Sequence, residues 1–168
     1  MEIRRIGNEE VYEAYNLMMD VVSRLSSGAI FAMDDVEYLH AHVENEGEIY
    51  GAFLDGRMVA YTVLAFPGLK AGNLGREFGV PDDELNRVAV LDATVVHESV
   101  RGRGLQRRFH ELREERARAS GCLYLYATVH PDNHVSRRNL EAAGLEHQFT
   151  RPMYGGLPRH CYAKRLDE

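Results

Sequence analysis

Cysteine is scarce: Cys122 and Cys161 are the two in 168 residues. They form no Cys-x-x-Cys pair, which fits free thiols in a reducing compartment and not a disulfide framework. Long apolar runs are missing as well, and none is long enough to cross a membrane. The N-terminal Met1-Glu2-Ile3-Arg4-Arg5 leads into no apolar signal-peptide core, so the natural reading is a cytoplasmic protein. Basic residues are not in excess. A net charge of −6 speaks against a general nucleic-acid binder, whose surface is basic. Internal repeats, low-complexity tracts and linkers are also lacking. The length fits one domain over residues 1–168, and 45% apolar with 27% charged residues is ordinary for a globular protein.

Against that acidic background, four arginines stand between positions 101 and 108 with no acid among them. The segment is Arg101-Gly102-Arg103-Gly104-Leu105-Gln106-Arg107-Arg108. It follows an apolar run, Val88 to Val96, and opens an amphipathic pattern. A glycine-rich loop entering a helix start concentrates unpaired N–H groups, and such a site suits an anion, most often a phosphate. The segment is not a P-loop, since no Gly-Lys-[Ser/Thr] follows, nor a GxGxxG fingerprint, since position 107 is Arg.

The rest of the chain reads as alternating elements. Glu2 to Ile6 is a short strand. Asn8 is a cap for a helix whose apolar stripe is Val11, Tyr15, Met18, Val22 and Leu25, ending at Ser26-Ser27-Gly28. Asp34 or Asp35 caps a second helix through Val36, Leu39 and Val43. Two β-rich runs, Glu48 to Leu54 and Met58 to Phe66, flank Asp55-Gly56, a hairpin signal. Residues 68–86 are irregular. Val88 to Val96 and Cys122 to Val129 are strands apolar on both faces. Between them lies a helix predicted to bury Leu105, Phe109, Leu112 and Ala119. A further helix runs to Ala143, and strands Leu145 to Thr150 and His160 to Leu166 are joined by a loop from Arg151 to Pro158. The order β-α-α-β-β-β-α-β-α-β-β predicts a mixed α/β sheet, mostly antiparallel, with a parallel pair of strands 4 and 5 and helices packed on it.

These features together resemble the GNAT superfamily of acyl-CoA-dependent N-acyltransferases. Its core motif is Arg or Gln, two residues, Gly, one residue, then Gly or Ala; here Arg101, Gly104 and Gln106 occupy those places, the last a departure. A second motif runs from Asn133 through a helix to Gly144-Leu145. The resemblance implies the GNAT fold, with helices on both faces of the sheet, and acetyl-CoA or another acyl-CoA as co-substrate. It implies that backbone groups of Thr94, Val95 and Val96 pair with the pantetheine arm. The N–H groups from Gly102, Arg103, Gly104, Leu105, Gln106 and Arg107 would hold the pyrophosphate, and Asn133 and Ser136 would line the arm. The implied acceptor is a primary amine, in a small molecule by this reading, with no nucleic-acid or membrane partner. Dimers are frequent in the family, so a homodimer is admitted.

N-acyl transfer needs a base, a positioned thioester and a donor to the oxyanion. Asp92, the one acid in its apolar strand, is the candidate base; its alternative is a structural pairing with an arginine such as Arg87. A strand N–H near Val95 or Val96 is the expected oxyanion donor. His97 reads as a turn residue, and Glu84 as a second-rank base acting through water. Family members often carry a Tyr acid where Leu140 stands; Tyr154, beside Gly155-Gly156, is the substitute candidate, with Ser136 and Tyr126 behind it. Asp34, Asp35, Glu77, Asp82, Asp83 and Glu84 fall in segments expected to border the acceptor. His130 and His134 lack a third ligand at metal spacing, so no metal is expected. The rival function is a non-catalytic acyl-CoA-binding sensor of the same fold.

Overall fold

The computed structural model describes residues 1–25, 33–153 and 155–166. Ser26, Ser27, Gly28 and Tyr154 lie outside the described residues. Seven strands form one sheet: β1 (Glu2–Arg5), β2 (Gly47–Leu54), β3 (Arg57–Ala65), β4 (Val88–Val96), β5 (Tyr124–Val129), β6 (Glu146–Met153) and β7 (Leu157–Arg165). Their order across the sheet is β1-β2-β3-β4-β5-β7-β6. The β4–β5 pair is parallel and every other pair antiparallel, as predicted. The β2–β3 turn is Asp55-Gly56, with φ of 52° and 79°. Positive φ at both central residues is what a two-residue type I′ hairpin requires.

Helices α1 (Val11–Val22), α2 (Val36–Glu44), α3 (Leu105–Ala119) and α4 (His134–Ala142) cover both faces. Alternation along the strands decides which face each residue serves. Ile49, Phe53, Tyr61, Val63 and Val95 pack against Val11, Leu17, Met18 and Leu39 of α1 and α2. Ala52 and Ala60 face Leu105 and Phe109 of α3, and Leu64, Ala89, Leu91 and Leu125 meet Ala117 and Leu140. Helix α3 is also tied to β2, where Arg116 donates twice to the buried Glu48 carboxylate at 3.0 Å.

Three expectations change. The buried stripe of α1 is Val11, Ala14, Leu17, Met18 and Val21, with Tyr15 and Val22 only half-buried at its edge. On α3 the inward residues are Leu105, Phe109, His110, Arg113 and Ala117; Leu112 is half-buried and Ala119 exposed. The apolar pattern misled there because an arginine fills a core position. Finally, Arg151 to Pro158 is not a long loop. Strands β6 and β7 extend into it, with Pro152 opposite Pro158. Strand β6 is an edge strand, where a proline removes no ladder bond that the sheet needs.

Two irregularities of β4 set up the site. Its pairing with β5 spans only Val88↔Tyr124 to Val90↔Tyr126, so the strands part beyond that point. Its pairing with β3 jumps from Leu64↔Leu91 to Thr62↔Thr94. Asp92 and Ala93 therefore oppose the single Val63, which is a β-bulge.

Candidate active site

A cleft of about 820 Å³ occupies the gap where β4 and β5 separate. Asp34, Tyr38, His42 and Glu46, in and around α2, line it together with Gln106, Asn133 and Ser136 at the starts of α3 and α4. Asp92 and Thr94 of β4 line it as well. This volume is in the range of small-ligand sites.

The loop before α3 has the geometry of an anion cradle. Gly102 and Gly104 take φ of 76° and 74°, a left-handed backbone that glycine adopts without strain. A Cβ added at Gly104 would meet no atom within 4 Å, so backbone conformation and not crowding demands glycine there. Gly104 is the residue before the first turn of α3, whose leading N–H groups have no intrahelical acceptor. Leu105 is buried in the core, so only its backbone is available to a ligand. Gln106 accepts from Asn139 Nδ2 at 2.9 Å and thereby joins α3 to α4. At the start of α4, Asn133 Oδ1 accepts from the Ser136 N–H at 3.2 Å.

Asp92 lies on the α1/α2 side of β4 and accepts from the Tyr38 hydroxyl. Asp34, after α1, accepts from Tyr61 Oη at 3.2 Å. Burial, then the nearby Asp92 charge, pushes the Asp34 carboxyl up to about 7. The same burial, reinforced by the two carboxylates, raises both tyrosine hydroxyls well above their ordinary value. Neither acid is in an ion pair among the described residues. Thr94 Oγ1 lies 2.7 Å from Thr62 Oγ1.

Beneath the bulge lies a cation that the sequence did not suggest. Arg113 is 1% exposed. Its Nη1 donates to the carbonyls of Val63 at 2.9 Å and Asp92 at 3.1 Å. Its Nη2 reaches His110 Nδ1 at 2.9 Å. Burial pulls the guanidinium down to about 9, opposed by the Asp92 and Tyr38 charges. Burial and the adjacent arginine pull His110 down to about 3, so it is neutral at pH 7 and accepts at Nδ1.

A family model described as the acetyltransferase (GNAT) family matches residues 9–145. The chain belongs to the GNAT acetyltransferase family. Solved structures agree on the fold. Similar ones include yncA of Salmonella typhimurium, solved with its cofactor acetyl-CoA (16% identity, TM-score 0.75, 100% of this chain and 95% of that one). A ribosomal-protein-alanine N-acetyltransferase from Brucella melitensis is 20% identical, with TM-score 0.74 over 99% and 100% of the chains. The ribosomal-protein-S18-alanine N-acetyltransferase of Escherichia coli is 15% identical, with TM-score 0.71 over 99% and 94%. No curated protein matches the sequence.

Within this GNAT domain the expected residues fall into two groups. Asp92, Thr94, Gln106, Asn133 and Ser136 all line the cleft, and the Arg101 to Leu105 loop adjoins it through Gln106. Val95 and Val96 are registered against Tyr61 and Ala60 of β3. The break in strand pairing lies earlier, at Asp92 and Ala93. Arg87 gives Asp92 no partner; its carbonyl accepts from Leu123 N. Of the six acids expected near the acceptor, Asp34 and Glu77 line the cleft and Asp35, Asp82, Asp83 and Glu84 do not. Asp35 caps α2, accepting from Tyr38 N at 2.7 Å, and Glu84 accepts from Tyr124 Oη at 2.7 Å. Tyr126 stacks on Phe78 with ring centres 4.0 Å apart, away from the cleft. His97 is the turn residue expected, with Nδ1 accepting from Ser99 N at 3.1 Å. His130 Nδ1 accepts from Asp132 N at 3.0 Å. No group of three or more His, Cys, Asp or Glu suited to a metal occurs among the described residues. No helix among them is long and apolar enough to cross a membrane. Leu140 is a buried core residue that also borders the cleft. The sequence reading missed Tyr38, His42, Glu46, His110 and Arg113. The helical period of α3 was the one available signal, since Leu105, Phe109 and Arg113 repeat at i, i+4, i+8.

Proposed function

We propose that this protein transfers an acetyl or other short acyl group from acyl-CoA to the primary amine of a small cationic acceptor, by direct attack in a ternary complex. One observation carries the reading: a single cleft runs through the β4–β5 gap, with Asp92 and the α3 and α4 helix starts on its wall. Acetyl-CoA, the co-substrate, supplies an acyl carbon activated as a thioester. The N–H groups from Gly102 to Arg107 bind its pyrophosphate, with Arg101, Arg103 and Arg107 or Arg108 as counter-charge. The unpaired edge of β4 beyond Val90 takes the pantetheine arm as an added strand, with Asn133 and Ser136 facing it. The acceptor enters at the Asp34 and Tyr38 end. Asp92 takes a proton from its ammonium, the freed nitrogen forms the bond to the acyl carbon, and the C–S bond breaks to release CoA as thiolate, which takes up the second proton that the acylated nitrogen gives up and leaves as the thiol. A backbone N–H of β4 near Val95 or Val96 donates to the carbonyl oxygen. The side chains of Asp34 and Asp92 accept from tyrosine hydroxyls and form no ion pair among the described residues, Arg113 bonding the Asp92 main-chain carbonyl instead; this supports a cationic acceptor.

The test is thiol release from acetyl-CoA against a panel of small amines and peptides with N-terminal alanine. Turnover with small cationic amines is expected. Turnover confined to peptides would move the acceptor class to protein N-termini, and CoA binding without release by any amine would favour the sensor reading. Asp92→Asn is expected to lower kcat at pH 7 by about 10²-fold or more, with acetyl-CoA affinity within about threefold, since the pyrophosphate grip is remote from it. An unaltered pH–rate profile in that variant would remove Asp92 as base.

A further inference from the structure

We infer that Arg113 is a positioning residue for acyl transfer: it fixes the Asp92–Ala93 bulge from beneath and holds a positive charge behind the Asp92 carboxylate. The inference rests on the reading of Asp92 as the base. A fully buried arginine is costly unless its donors are satisfied and its charge is offset. Here the donors go to backbone carbonyls, and the two that matter belong to the residues facing each other across the bulge, Val63 and Asp92. A third goes to the Phe109 carbonyl one turn back, at 3.4 Å, and a fourth to neutral His110. The guanidinium therefore reads the two carbonyls at the place where β4 departs from regular pairing.

A bulge re-aims side chains. Asp92 bonds to Tyr38 of α2, while Ala93 packs with the same α1/α2 core, so consecutive residues face one side. Arg113 approaches from α3 on the opposite side and holds that arrangement open. An apolar residue there would leave both carbonyls without these donors. The groups facing the guanidinium are Asp92 and Tyr38 across the sheet and His110 on its own helix; Asp34 faces Asp92 in turn.

The test uses Arg113→Met, which keeps length without charge, and Arg113→Lys, which keeps charge without the planar fork. Arg113→Met is expected to lower kcat by about 30-fold or more, with the KM for acetyl-CoA within about threefold. The acidic limb of its kcat/KM profile should move up, because removing a nearby cation disfavours the ionised base. Arg113→Lys should keep the limb at the wild-type position and recover part of kcat. The profiles are repeated in Asp34→Asn, so that a moved limb belongs to Asp92. In the double variant Asp92→Asn, Arg113→Met, the loss should match that of Asp92→Asn alone; losses that multiply overturn action through Asp92. Hydrogen exchange gives a readout free of turnover: amides of Asp92 to Thr94 should exchange about tenfold faster in Arg113→Met while Val88 to Val90 stay unchanged. Unmoved limb and unmoved exchange in a folded Arg113→Met overturn the inference. If Arg113→Met does not fold, a limb displaced in Arg113→Lys does so. A normal profile in Asp92→Asn overturns the base reading instead, and the exchange result then decides the hold on the bulge alone.

Discussion

Asp34 and His110 show how single buried groups leave opposite marks on stability. Burial raises the Asp34 carboxyl from 3.8 to about 7, so between those values the folded state holds a proton that the unfolded state has lost. Its contribution is therefore intact below pH 4 and declines as pH rises to 7. His110 is lowered from 6.5 to about 3. There the unfolded state binds the extra proton, and stability rises with pH over that window. The two slopes oppose each other between roughly pH 4 and 6.5, so neither is read directly from the wild-type profile. Asp34→Asn removes one of them. It should be as stable as wild type at pH 4 and more stable at pH 8, by on the order of 2 kcal/mol once solvent access to the partly exposed Asp34 is allowed for. Urea midpoints at pH 4, 6 and 8 read this, and a difference constant with pH would mean that Asp34 does not titrate as argued. The same residues show what a sequence can disclose at this scale. Asp92 stood out because acid in an apolar strand is a local contradiction. Asn133, Ser136 and the Arg101 to Arg107 loop stood out because their geometry is local in the chain. Tyr38, His42 and Glu46 carry no local mark; packing of α2 over β2 and β3 brings Tyr38 and His42 to the cleft, and Glu46 follows just after the helix.

At the scale of elements, boundaries set by turns and glycines were legible, as at Asp55-Gly56, Gly104 and the nine residues of β4. Faces were less so. The α1 stripe was read one position off, because Tyr15 and Val22 are apolar yet sit at the edge of the buried arc. The irregular stretch before β4 offered no periodicity at all, yet it is ordered around one side chain. Asn73 is 2% exposed. Its Nδ2 donates to the carbonyls of Gly68 at 2.7 Å and Leu85 at 3.1 Å, and its Oδ1 accepts from Gly75 N at 2.8 Å. One amide thus closes three points of a loop that supplies Lys70, Arg76 and Glu77 to the cleft wall. Asn73→Ala leaves buried backbone groups without partners and should cost about 1–3 kcal/mol. Because Lys70 of this loop pairs with Glu46, beside the proposed acceptor end, KM for the amine should rise more than KM for acetyl-CoA. Equal changes in both would place the stretch outside acceptor binding.

For the molecule as a whole, the sheet is held together on either side of a gap. Antiparallel pairing with β3 secures β4, and β7 secures β5 along its full length from Tyr124 to Val129. Between them only three residue pairs are registered, and α3 makes the covalent crossover. A ligand lying in the gap and gripping the α3 start contacts both halves only in the folded state, so its binding energy adds to folding stability. At a hundred times its Kd, acetyl-CoA should contribute about 2.7 kcal/mol, which for a domain of this size is a rise in Tm of roughly 5–10 °C. Charge sets the salt dependence. The net −6 is spread over the surface and is largely screened beyond a Debye length of about 10 Å at 0.1 M salt. The arginines at 101, 103, 107 and 108 sit in and after the loop proposed to hold the anion, and Glu98, 3.9 Å from Arg101, is the one acid paired with them among the described residues. The attraction of close charges therefore dominates, and the rise in Tm should shrink as salt goes from about 0.05 to 0.5 M at fixed acetyl-CoA. Gly104→Glu puts a carboxylate at the proposed pyrophosphate site and a side chain on a backbone with φ of 74°. It should lower the Tm of the free protein by a few degrees, for a strain of about 1–2 kcal/mol, and abolish the ligand-induced rise. Asp92→Asn should retain that rise in full. A thermal shift persisting in Gly104→Glu, or one insensitive to salt in the wild type, would move the acyl-CoA site away from the start of α3.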